Sequence, residues 1–135
     1  MRAAAGAIGL AICGFLVGCS AQAVLPADLA QRACVKAQTV PMIGTPNRGS
    51  YEVSQDELVD WADVLRDAAD DAATAAAADS AYDRVALDVL AVSEDLATAR
   101  DVIAAGRAIL GDDMTAIQDH ITTLVETCQR LGTPA

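Results

Sequence analysis

From Ser54 onward, apolar residues recur at steps that alternate between three and four, the spacing that lines one face of an α-helix. Ser54 and Glu57 form a capping-box pair, with Val53 and Leu58 at the flanking positions of a hydrophobic staple. A helix is therefore predicted to about Ala78, with the seam Leu58, Trp61, Leu65, Ala68, Ala72 and Ala75. Ser80 with Asp83 marks the next start. The alternation then continues through Tyr82, Val85, Val89, Val92, Leu96, Ala99, Ile103, Gly106 and Leu110 up to Gly111. Gly106 is a potential break, but the register persists across it. Asp112 or Asp113 is positioned to cap a last helix with the seam Met114, Ile117, Ile121, Leu124, Cys128 and Leu131, stopped by Gly132 and Pro134. Upstream, Pro26 suits a first helical position and Ala27 to Gln38 reads as a short helix carrying Cys34. Pro41, Gly44, Pro46, Asn47 and Gly49 impose a loop from Thr39 to Glu52, either functional or a plain crossing between helices.

No stretch alternates with the period of a strand, and no repeat exceeds the helical spacing. The pattern predicts an all-α chain, a small up-and-down helical bundle with a short first helix and three longer ones. Folding the second helix against the third sets Ala68, Ala72 and Ala75 against Tyr82, Val85 and Val89, and Leu58 and Trp61 against Ala99 and Ile103. Bulky residues then oppose small ones at both ends. Folding the last helix back from Gly111 brings Cys128 level with Leu96. The rival is an oligomeric coiled coil, since the same spacing also suits seams between chains.

The start of the chain has a different character. Met1-Arg2 supplies a positive charge, Ala3 to Phe15 is uncharged and mostly apolar, and Leu16-Val17-Gly18-Cys19 follows. This is the layout of a secretory signal, and the run is short for a membrane span, which takes about 20 apolar residues. Leu16-Val17-Gly18-Cys19 resembles the lipobox of bacterial lipoproteins. The resemblance covers residues 1–19 only. It implies a signal peptide over 1–18, a diacylglyceryl group of the palmitate type on the sulfur of Cys19, and a protein held at the outer face of the cell membrane. Residues 19–25 then form a lipid-anchored tether reaching at most about 20 Å, and 26–135 the bundle domain. Two acyl chains, at about 0.8 kcal/mol per buried CH₂, make a durable anchor.

That reading settles the cysteines. Of four, Cys13 leaves with the signal and Cys19 is consumed by lipid, so Cys34 and Cys128 remain to form a disulfide in an oxidising compartment. A redox centre or zinc site is the alternative, but neither Cys-x-x-Cys nor four close ligands occur. Charge limits the partners. The chain carries nine basic against 19 acidic residues, a net −10, and losing Arg2 takes it to −11. Nucleic acid is excluded, because phosphate contacts need clustered Lys and Arg. Anionic lipid is repelled as well, which makes a covalent anchor more necessary.

Candidate chemistry is sparse. His120 sits on the shoulder of the last helix with no local catalytic partner. Asp56, Asp60, Asp63, Asp67 and Asp71 line the outer side of the second helix; a row diverges where a cation site converges, so a solvated face is expected, its repulsion partly relieved by Arg66. Trp61, Tyr51 and Tyr82 are candidates to line a small apolar pocket, and Met114 or His120 to hold haem. Phosphate loops, nucleophile elbows and His-Glu-x-x-His are missing. The expectation is a protein without enzymatic activity, cofactor or metal, acting through contacts with another envelope protein. The alternative is a carrier of a small apolar ligand or haem.

Overall fold

The computed structural model describes residues 23–44 and 53–132. Five helices follow in order: α1 (Pro26–Gln38), α2 (Pro41–Gly44), α3 (Gln55–Ala78), α4 (Asp83–Ala104) and α5 (Gly111–Arg130). Among the described residues there is no strand, and no helix is long and apolar enough to cross a membrane. The four longer helices form the expected up-and-down bundle. In it α3 lies along both α1 and α4, α5 packs on α4, and a Cys34–Cys128 disulfide ties α5 back to α1.

Helix α1 starts as its sequence dictates. Leu25 is extended and Pro26 opens the helix, with Asp28 in the first turn and Lys36 in the last, each complementing the helix dipole. Its inner face is Leu29, Ala30, Ala33, Cys34 and Ala37, a mostly small-residue surface that permits close approach to α3. The loop expected from Thr39 is in fact helical at its beginning: Val40, just before α2, and Ile43 within it are both buried in the core. Gly44 is required there: a Cβ at this position would collide with the carbonyl oxygen of Gln38. Residues 45–52, including Tyr51, lie outside the described residues.

The capping box that opens α3 is formed in both directions. Ser54 Oγ accepts from the Glu57 N–H at 3.2 Å, and Glu57 Oε2 accepts from the Ser54 N–H at 2.9 Å. Buried along α3 are Leu58, Ala62, Leu65, Ala68, Ala72 and Ala75. Ala62 rather than Trp61 occupies the centre of the stripe. The indole is too large for the gap between closely packed backbones, so Trp61 flanks the core half-buried.

The turn into α4 differs by one residue from expectation. Asp79, not Ser80, is the cap: its Oδ1 accepts from the Ala81 N–H at 2.9 Å and opens a single 3-10 turn over Ser80–Tyr82 before α4 begins. At the far end, α4 stops at Ala104 instead of running on to Leu110. Gly106 takes a left-handed φ of 71°, and the N–H groups of Gly106 and Arg107 bond to the carbonyls of Ile103 and Val102. This is a Schellman motif, which satisfies the last carbonyls of the helix. Leu110, expected on the seam, is 69% exposed, and Met114 is also exposed. Asp112 and Asp113 occupy the first turn of α5 without capping it through their side chains.

The early stop shifts the register of α5. Asp95 meets His120 at 2.6 Å and Asp88 meets Thr127 at 2.6 Å, so the reversal centres near Arg107. Cys128 therefore lies level with the first turns of α4, close to Asp88, rather than midway at Leu96. It still reaches Cys34, with Cα atoms 5.7 Å apart. One core cluster, including Leu65, Val89, Val92, Leu96, Leu124 and both cysteines, fills the bundle. A smaller cluster of Leu29, Ala30 and Ala75, covered by Tyr82, closes the end where α1 begins.

Candidate functional site

Three polar groupings stand out on this frame. The first joins α1 to α3. Arg32 donates to both carboxylate oxygens of Asp71, at 2.9 and 3.0 Å, and Lys36 donates to Asp67 at 2.5 Å and to Asp71 at 2.7 Å. The acidic row is thus not simply a solvated face. Asp63 pairs with Arg66 as expected, while Asp67 and Asp71 are neutralised from α1, across the helix boundary. Partial burial pushes the Asp71 carboxyl pKa upward, but the hydrogen bonds from Arg32 and Lys36 outweigh it, and the net shift is down. Lys36 is shifted up by its bonds to Asp67 and Asp71, and Arg32 by its bond to Asp71. The arrangement fastens two helices and leaves these acids engaged with cations of the chain itself.

The second grouping is buried. Asp88, 8% exposed on α4, accepts from Thr127 Oγ1 at 2.6 Å and from Arg84 Nε at 2.9 Å. Nothing in the sequence singled out Asp88. The available signal was its place one residue before the seam position Val89, on the flank that a neighbouring helix covers. The pair aligns α5 on α4 next to the disulfide.

The third grouping lies at the opposite end, where α4 passes into α5. His120 Nδ1 faces Asp95 Oδ2 at 2.6 Å, a carboxylate distant in sequence and so invisible to any local motif. Beyond it, Asp95, Thr98, Val102, Ile109, Asp113 and Ala116 help to line a cleft of about 140 Å³. Pockets that enclose small-molecule ligands run from roughly 300 to 1,000 Å³. Exposed Leu110 and Met114 flank the same corner. This corner combines exposed apolar side chains with a shallow, mostly apolar cleft that carries two carboxylates, Asp95 and Asp113.

The remaining candidates do not converge. Met114 and His120, six positions apart on α5, point about 120° apart and lie about 9 Å apart along the axis, so they cannot grip one haem together. Trp61 packs on the main core and Tyr82 on the small cluster at the other end, so these two aromatics line no common pocket. Among the described residues, no group of three His, Cys, Asp or Glu side chains could hold a metal ion. Cys34 and Cys128 are joined, and Cys19 lies outside the described residues. No family model, curated protein or solved structure matches the chain.

Proposed function

We propose that the chain is the precursor of a lipid-anchored envelope protein, tethered through Cys19 to the outer face of the cell membrane, that works by contacting another envelope protein rather than by catalysis. The observation that carries this reading is Leu16-Val17-Gly18-Cys19 behind a charged start and an apolar run. The position of the first helix supports it, since α1 opens at Pro26, a few residues beyond the lipid site. The exposed Leu110 and Met114 beside the α4–α5 cleft supply the apolar surface that a protein partner would cover.

The test compares wild type with Cys19→Ala in a bacterium that processes lipoproteins, by intact mass and membrane fractionation. The expected outcome is a wild type found in membranes with its N-terminus at a lipid-modified Cys19, and a mutant that carries no lipid. Identical mass and partitioning of the two proteins would sink the anchor. The contact face is tested separately, with Leu110→Asp in the anchored protein. Chemical cross-links to a membrane partner should be lost while the lipid mass is kept.

A further inference from the structure

We infer that the end of the bundle where α1 begins rests directly on the bilayer, with Val24, Leu25, Leu87 and Leu131 in the interfacial layer of a zwitterionic leaflet. The inference rests on the anchored reading above and adds an orientation and a contact surface to it.

The register of the helices brings these residues to one end. Arg32–Asp71 and Lys36–Asp67 run α1 antiparallel to α3, so Leu25 lies level with the close of α3. Asp88–Thr127 sets Leu131 level with the first turn of α4. Val24 and Leu25 are 53% and 61% exposed, Leu87 on the outward side of α4 is 63% exposed, and Leu131 is 37% exposed. Of the nine large apolar side chains exposed among the described residues, these four gather around this end. Contiguous exposed apolar surface commonly marks a protein or membrane contact.

The tether decides which contact applies here. From Cys19 to Pro26 the chain spans at most about 25 Å when extended, and α4 alone is about 33 Å long. The lipid therefore holds this end close to the membrane, while the opposite end, with Leu110 and Met114, stands one helix length further away. Arg84 and Arg130, with side chains 62% and 69% exposed, sit at the same end, but each is paired with an acid of its own helix, Asp88 and Glu126. Asp79 and Asp83 are also there, so an anionic leaflet would be repelled where a zwitterionic one is not.

The chain has a single tryptophan, Trp61, near the far end of α3, which makes depth measurable. Lipidated full-length protein is placed in phosphatidylcholine vesicles whose acyl chains carry bromine, a short-range quencher of indole. Leu87→Trp and Leu131→Trp are made in a Trp61→Phe background, or, if that change costs helicity, beside the native Trp61 and read as the increment. The expected result is fluorescence halved or better at positions 87 and 131, with Trp61 in the wild type changed by less than a tenth. Equal quenching at all three positions, or none at 87 and 131, in protein that carries lipid and floats with the vesicles overturns the orientation and leaves the anchor standing. Protein that carries no lipid by intact mass and does not float overturns the anchor, and the orientation with it.

Discussion

At the scale of single residues, two carboxylates do different work. Asp71 holds α1 to α3 through Arg32 and Lys36, and its pKa is depressed below the usual 3.8. A depressed acid contributes stability above its unfolded pKa and loses it as pH falls through the folded value. Asp71→Asn should therefore cost about 1 to 2 kcal/mol near neutrality in urea unfolding, and the gap from wild type should close toward pH 2 to 3. A gap that stays constant over that range would show that the ion pairs contribute nothing. Asp88 is enclosed, and Thr127→Val would remove one of its two donors while keeping the side-chain volume. A loss of about 1 to 3 kcal/mol is expected, because a buried carboxylate left short of a partner keeps its desolvation cost. Neither role could be read from local spacing, since each depends on a residue from another helix that only folding brings near.

At the scale of elements, the places where local chemistry dominates were legible and those set by competition were not. The α3 capping box, the Pro26 start and the seam through Leu65, Val89, Val92 and Leu96 are formed as their spacing implies. The end of α4 is different. The seam spacing continues to Leu110, but a glycine that can adopt positive φ permits a Schellman closure at Ala104, and that closure wins. Gly106→Ala isolates this term, because nothing lies within 4 Å of where its Cβ would be, so the cost is backbone alone. The substitution should destabilise by about 1 to 2 kcal/mol, measured by thermal unfolding. If the alanine variant is as stable as wild type, the helix has run on past residue 106 and the α5 register has changed with it. The one-turn α2 was hidden for a related reason. Pro41 and Gly44 read as loop formers, yet Pro suits a helix start and Gly44 fits where no side chain could.

At the scale of the molecule, the candidate site is the part least written in the sequence. The α4–α5 cleft and the His120–Asp95 pair exist only because two helices stop and start where they do. The disulfide was recoverable by counting, once Cys13 and Cys19 were set aside. Its closure of residues 34–128 should supply about 4 to 5 kcal/mol by restricting the unfolded chain. Cys34→Ser with Cys128→Ser should thus lower the urea midpoint sharply, and adding reductant to the double variant should change nothing further; coincident midpoints for wild type and double variant would show the cross-link to be idle. The same bond also has a mechanical meaning. Were the chain held near its N-terminus and gripped at the α4–α5 tip, as proposed, it would be under tension, and a linear chain would yield by unravelling. Here a pull entering at Cys34 divides at once, and the short arm from Cys128 back to Met114 goes taut after on the order of 50 Å. The fold can be bent or partly opened under such force, but it cannot be drawn out into a thread.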